Sequence, residues 1–252
     1  MNAPFGLPGT PLDPSDPINK GLVGWWPMWE GAGGKCLDIS GQNNHGALVG
    51  NTKWMDRGLG NAGDSLKATT GASDVPPPAT MAGWVWLNAR VSGAGIICCA
   101  ATGDGGFRAE QHGGDLVGIT SAGTTADYSF ANPGFSVPVE RWTHLICVVN
   151  SATNATLYAN GNFAGTATTP YSFAGWRSQF GGNVSWAPDS LNGRLRDLRV
   201  WSRELSAMEA RRLYETPYCG LWTPDYTRYY VPAAGGGADV RNHIIPAYYR
   251  AA

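Results

Sequence analysis

Trp142-Thr-His-Leu-Ile-Cys-Val-Val149, followed by Ala155-Thr-Leu-Tyr-Ala159, Asn160-Gly161 and Asn162-Phe-Ala-Gly165, is the stretch that decides the fold. Its first segment is apolar on both parities, as a central strand covered on both faces must be. Asn160-Gly161 between two strand-like runs predicts a hairpin closed by a type I′ turn, because Asn and Gly tolerate the positive φ that turn needs. A strand covered on both faces needs layers on either side of it, so the search for partners runs outward from here.

Upstream, short strand candidates alternate with turn chemistry: Gly83–Asn88, Gly95–Ala101, Gly106–His112, Leu116–Thr120 and Asp127–Ala131. Downstream, Phe180-Gly-Gly-Asn183 reads as a strand-to-loop junction, and Arg194–Trp201 as a late strand. The alternation of that late strand slips between Leu195 and Leu198, which predicts a bulge. One helix is indicated: Ser206 with Glu209 three residues on forms a capping box, Leu205 is placed as a staple, and Thr216-Pro217 stops it. About a dozen strands and one short helix predict an all-β fold, an antiparallel two-sheet jelly-roll β-sandwich with extended arms at both ends.

Composition agrees. The 252 residues fall within the span of a single all-β domain, and such a length buries enough apolar surface to need no staple. Charged residues make up 15% while Gly (35) and Trp (11) run high, which suits short strands, turns and aromatic plugs. A net charge of −1 gives no global attraction to nucleic acid or an anionic membrane. Arg194, Arg196, Arg199, Arg203, Arg211 and Arg212 crowd one region; a solvated strand edge and helix face accounts for them, with an anion site as the alternative. The cysteine count is odd (Cys36, Cys98, Cys99, Cys147, Cys219). Neighbours such as Cys98 and Cys99 in a strand point to opposite faces and suit neither a mutual bridge nor one metal. The first residues carry no basic and apolar leader pattern, and Leu145–Val149, among the longest apolar runs, is too short to span a bilayer. Reduced thiols in a chain made in a cytoplasm are expected.

Residues 1–19 hold Pro4, Pro8, Pro11, Pro14 and Pro17 and read as an extended arm. The sandwich is expected over 20–216 and a second arm, rich in Tyr and Pro, over 217–252.

Four stretches together resemble the laminin-G-like branch of the concanavalin A-like lectin/glucanase superfamily. Gly21-Leu-Val-Gly-Trp-Trp-Pro-Met-Trp-Glu-Gly-Ala-Gly33 with Asp38-Ile-Ser-Gly-Gln-Asn-Asn-His-Gly46 looks like its opening strand and loop. Met81-Ala-Gly-Trp-Val-Trp-Leu87 is similar to an early aromatic strand, and Trp142-Thr-His-Leu145 with Leu157-Tyr-Ala-Asn-Gly161 to the central strand and hairpin. Asn192-Gly-Arg-Leu-Arg-Asp-Leu-Arg-Val-Trp-Ser-Arg-Glu-Leu-Ser-Ala-Met-Glu209 resembles the closing strand and capped helix. The resemblance implies the same sandwich, but this fold carries lectins, glycosidases and passive modules alike.

Chemistry must therefore come from residues. The family's glucanases place carboxylates as Glu-x-Asp-x-x-Glu on one strand, since hydrolysis needs two acids facing across the sugar. No such run occurs here. Glu110 is the one glutamate expected within a mid-sheet strand, so no enzyme activity is expected. His45 and His144 read as structural, for loop hydrogen bonding and strand packing, and His112 and His243 have no partner at metal-ligand spacing. Many relatives implied by the resemblance bind Ca²⁺ through loop oxygens; Asp64, Asp104, Asp127 and Asn150 are candidates, with ordinary turn roles as the alternative. Trp84, Trp86, Trp142 and Trp201 read mainly as core. Trp176 and Trp186 flank a Gly/Asn loop and either pack there or stack on a glycan ring.

Six of the ten Tyr follow Pro217. Solvated linkers are poor in aromatics, whereas interfaces favour them. Trp222, Tyr226, Tyr229, Tyr230, Ile244, Ile245, Tyr248, Tyr249 and Arg250 are thus candidate partner-docking residues; the alternative is that the stretch from Trp222 to Val231 packs back on its own sandwich. Two arms, reduced thiols and a sandwich of this type together suggest a bacteriophage capsid decoration or minor virion protein. It would be made in the host cytoplasm, displayed on the virion surface, bound to other capsid proteins and self-associating. The alternative is a lectin-like module for surface glycans, with or without Ca²⁺.

Overall fold

The computed structural model describes residues 11–55, 58–60, 68–70, 75–99, 106–110, 115–120, 127–151, 153–168, 178–182, 191–222, 226–229 and 243–246. The strands begin with β1 (Leu22–Trp26), β2 (Lys35–Cys36), β3 (Gly46–Leu48), β4 (Lys53–Met55), β5 (Gly58–Gly60) and β6 (Ala68–Thr70). The middle supplies β7 (Ala79–Leu87), β8 (Gly95–Cys99), β9 (Gly106–Arg108), β10 (Gly118–Thr120), β11 (Asp127–Ser129) and β12 (Thr143–Ser151). Then come β13 (Asn154–Ala159), β14 (Asn162–Thr168), β15 (Ser178–Phe180), β16 (Gly193–Trp201), helix α1 (Ala207–Glu215), β17 (Tyr226–Tyr229) and β18 (His243–Pro246).

These strands form two antiparallel sheets. The first runs β14-β13-β12-β7-β16-β5-β4, with β1 also paired to β16; the second runs β11-β10-β9-β8-β15-β6-β3-β2. The jelly-roll sandwich expected from the sequence is the fold observed. Strand β12 is covered on both faces as its sequence requires. Leu145, Cys147 and Val149 face the inter-sheet core with Trp26, Met81, Val85, Phe107, Ile119 and Phe180, where Trp26 meets Phe180 edge-on at 4.7 Å. Ile146 and Val148 face the opposite way, into a second cluster with Trp25, Trp201, Leu205, Ala210 and Leu213, roofed by α1. Each large side chain buried here contributes about 2 kcal/mol relative to exposure.

Local chemistry accounts for the details. Asn160 and Gly161 take φ of 49° and 77°, closing the type I′ hairpin between β13 and β14. The register of β16 against β7 breaks between Arg196 and Arg199, with Asp197 at φ 51°. That bulge lets one long strand serve two neighbours: its first half pairs β5 and its second half β1. The capping box of α1 is complete, Ser206 Oγ accepting from Glu209 N and the Glu209 carboxylate accepting from Ser206 N at 2.8 Å.

Strands of the second sheet are shorter than their sequence runs suggest. The run Gly106–His112 is a strand only to Arg108, so Glu110 stands in the bend after it, buried, and not on the strand where it was expected. The edge of β14 is closed by a turn: Ala131 and Thr166 exchange both main-chain hydrogen bonds, and Gly134 N donates to Ala164 O.

Residues 11–19 and 216–222, which flank the sandwich strands, are tied to it and to each other. The described part of the Pro-rich segment is not extended throughout: Pro17–Asn19 forms a 3-10 turn that buries Ile18 against Leu22 and Trp201. Leu12 bridges Leu221, Asp13 N donates to Gly220 O, and Trp222 N donates to Pro11 O at 2.9 Å. Asp16 clasps Arg212 through two hydrogen bonds of 2.8 and 2.6 Å, and Asn19 Nδ2 donates to Gly220 O. Beyond them, β17 and β18 pair with each other and with no strand of either sandwich sheet.

Candidate functional site

The outer face of the first sheet carries the arrangement that the sequence did not foretell. Strand periodicity places Trp84 and Trp86 of β7 on the same side as Arg194 and Arg196 of β16, which lie directly opposite them in the ladder. Arg196 packs its guanidinium 4.3 Å from the Trp142 ring centre and 5.0 Å from Trp84, and Arg194 lies 5.0 Å from Trp86. Trp86 and Trp142 stand 5.9 Å apart and tilted by 59°. Trp84 is buried in a three-ring cluster with His144 at 4.9 Å and Tyr214 of α1 at 5.7 Å, the latter two 6.3 Å apart. Trp86, Trp142, Arg194 and Arg196 are half-buried, each with a portion open to solvent. The rim is polar: Trp86 Nε1 donates to Asn88 Oδ1 at 3.2 Å, and Asn88 Nδ2 donates to Asn192 Oδ1 at 3.2 Å. Cation–π contact of this kind fixes both partners in place.

The remaining arginines of the cluster are engaged elsewhere. Arg199 is fully buried against Asp197, and Arg203 binds Glu209 at 2.6 Å together with the carbonyls of Pro17, Lys20 and Glu204. Arg211 pairs with Glu215 and Arg212 with Asp16. They serve separate structural contacts and do not converge on one anion.

His45 and His144 do what the sequence indicated. His45 Nδ1 accepts from Asp38 N, inside a loop where the Asp38 carboxylate takes the N–H groups of Trp25, Ser40 and Asn44. His144 is buried against the Trp84 and Tyr214 rings, and burial pushes its pKa down to about 3 despite the pull of Asp197. Asn150, a candidate Ca²⁺ ligand, has its Oδ1 occupied by the Thr156 hydroxyl at 3.0 Å. Asp64 and Asp104 lie outside the described residues, as does the Asp127 side chain. Among the described residues no three His, Cys, Asp or Glu side chains gather as a metal cage.

Glu30 accepts from Leu37 N, and burial raises its pKa, while its Oε2 has no partner. Burial also pushes up the thiols of Cys36, Cys147 and Cys219, which are free and inert.

Trp176 and Trp186 lie outside the described residues. Among the docking candidates Trp222 is 44% exposed. Tyr226, Tyr229, Ile244 and Ile245 are described as backbone of β17 and β18, with Tyr226 opposite Pro246 and Thr227 opposite Ile245. Tyr230, Tyr248, Tyr249 and Arg250 lie outside the described residues.

The sequence pattern of the concanavalin A-like lectin/glucanases superfamily, in its laminin G-type form, matches residues 60–211. The chain belongs to this superfamily. The match takes in the early aromatic strand, the Asn160-Gly161 hairpin and the closing strand with its capped helix, while the opening stretch at 21–46 precedes it. No curated protein matches the chain in sequence. Among solved structures, the fold is similar to that of domain 4 of AbnA, a GH43 extracellular arabinanase from Geobacillus stearothermophilus, in complex with arabinotriose. Identity is 17% and TM-score 0.60 over 77% of this chain and 98% of that one. The Trypanosoma rangeli sialidase bound to 2,3-difluorosialic acid matches at 16% identity and TM-score 0.55 over 79% of this chain. This chain spans 34% of that sialidase. The binding domain of botulinum neurotoxin serotype D matches at 14% identity and TM-score 0.57, over 85% of this chain and 58% of that one. At these identities the likeness establishes the sandwich.

Proposed function

We propose that this protein is a non-catalytic binding protein that docks onto a larger assembly through its paired chain ends, as a bacteriophage capsid decoration or minor virion protein. The observation that carries this reading is the clasp of residues 11–13 on 220–222, which holds these two segments together at the exposed Trp222. The β17–β18 ribbon beyond it pairs outside the sandwich sheets and carries Tyr and Ile, residues suited to an interface. Buried free thiols suit synthesis in a reducing host cytoplasm before display on the virion surface. The test is removal of residues 223–252: the sandwich should fold but no longer join the particle or self-associate by light scattering. Unchanged incorporation sinks the docking reading.

A second reading, lectin-like carbohydrate binding, is favoured by the arabinotriose-bound domain, 98% of whose length this sandwich covers. A glycan array separates the two, since a docking protein alone retains no sugar. Both can hold in one molecule, with the ends for attachment and a sheet face for ligand.

A further inference from the structure

Where the α1 roof ends, the outer face of the first sheet continues as indole rings. Tyr214, in the last turn of α1, touches the buried Trp84. Two residues further along the paired strands, on the same side, stand Trp86 of β7 and Trp142 at the entry to β12. Both keep part of their surface open to solvent. Their arginine neighbours are already engaged: Arg194 lies on the Trp86 ring, Arg196 on those of Trp84 and Trp142, and each makes a further contact. The arginines brace the rings and are not offered to a ligand. A surface ordered in this way loses little freedom when a ligand lands on it. Two donors stand with the rings. Trp86 spends its indole N–H on Asn88 Oδ1, whereas among the described residues Trp142 Nε1 has no acceptor. Asn88 Nδ2 carries two N–H groups and gives one to Asn192 Oδ1, so the rim retains a donor.

Ring faces with a few donors at their border suit a ligand that is apolar on one side and hydroxylated at its edge. β7 is flanked by β12 and β16, so this part of the sheet offers no main-chain edge on which a peptide strand could pair. The guanidiniums are committed to ring faces and further contacts, so nothing here selects for a carboxylate. We infer that Trp86 and Trp142 form a stacking subsite for an uncharged saccharide. The C–H side of a sugar ring lies against the indoles, and its hydroxyls meet Trp142 Nε1 and the Asn88 amide. This inference rests on the carbohydrate reading and names its ligand class and location.

The experiment is calorimetric titration of the full chain with arabinotriose, cellotetraose, xylotetraose, mannotetraose and maltotetraose, and with 3′-sialyllactose and tetragalacturonate as acidic sugars. At least one uncharged oligosaccharide should bind, its affinity changing less than about twofold between about 50 and 500 mM sodium chloride, since no charge pair is involved. Trp142→Ala and Trp86→Ala should each weaken it about tenfold or more, while Trp222→Ala, outside this patch, leaves it unchanged. Trp142→Phe keeps an aromatic ring in the packing and identifies, by its disappearance, the Trp142 indole N–H resonance in the nitrogen-15 spectrum. That resonance should be among those that shift most when sugar is added to the unaltered protein, a readout that stands even where an alanine variant fails to fold. Sugar binding that leaves the resonance in place overturns the location yet leaves the carbohydrate reading standing. Binding of acidic sugars alone, or affinity lost at high salt, overturns the uncharged assignment. Silence from every sugar overturns both the subsite and the carbohydrate reading.

Discussion

The Arg199 guanidinium lies 3.7 Å over the centre of the Trp25 ring, deep in the second core beneath the α1 roof. The ring's own N–H donates to Asp197 at 2.6 Å, and Asp197 in turn takes two hydrogen bonds from Arg199. Desolvation works against the Arg199 charge, and Asp197 outweighs it, raising its pKa. Cys219 O accepts a further N–H, so the same guanidinium ties β16 to the chain's C-terminal segment.

Arg199→Ala should therefore destabilise the fold by about 3–5 kcal/mol, because it strands a buried carboxylate. Asp197→Ala with Arg199→Ala together should cost less than the sum of the single changes, as read from urea unfolding of the cycle. Additive costs would show that the pair is not coupled.

His144 makes the protein acid-sensitive. Its folded pKa of about 3 lies below the ordinary 6.5, so between those values the unfolded chain holds more protons. Stability contributed by neutral His144 is complete above the unfolded value and falls as pH drops through that window, by up to about 1.4 kcal/mol per unit. His144→Phe should flatten this part of the curve without weakening the fold at pH 7, since it also removes an unpartnered buried Nδ1. An unaltered slope in the variant would assign the acid sensitivity to other groups.

Two glycines on the β7–β16 ladder should differ in tolerance. A Cβ at Gly193 meets the main-chain carbonyl of Trp86, which cannot step aside, whereas one at Gly83 meets the end of the Leu198 side chain. Gly193→Ala should cost about 3 kcal/mol or more and Gly83→Ala about 1 kcal/mol, compared by thermal midpoint. The reverse order would contradict the packing described.

Ser206→Ala should cost about 1 kcal/mol by breaking the cap that starts α1. Burial opposes ionisation of Glu209, but hydrogen bonds from Arg203 and Ser206 prevail and hold its pKa low. Loss of the cap should thus raise the Glu209 pKa, visible by carbon-13 NMR titration.

What was legible in the sequence was local. The Asn160-Gly161 turn, the slip between Leu195 and Leu198, the Ser206–Glu209 box and the two-faced apolar run of β12 each carry their own geometry. Short strands in the second sheet were harder. Flanking residues such as Glu110 share the alternation of a strand but leave the ladder where their neighbours end. The clasp between Asp16 and Arg212 joins residues 196 positions apart, and no local pattern announces it. The stacked platform fell between two separate readings, Trp as core and Arg as solvated face. Its one sequence trace was the shared two-residue spacing of Trp84 with Trp86 and Arg194 with Arg196, which meet only once the register of β7 against β16 is known.

The turn at 131–134 has a consequence for crowding. Since Thr166 and Ala164 spend their main-chain groups on that turn, β14 offers no open template to a neighbour at those positions. A second molecule therefore cannot lengthen the first sheet by laying a strand along this stretch of its border.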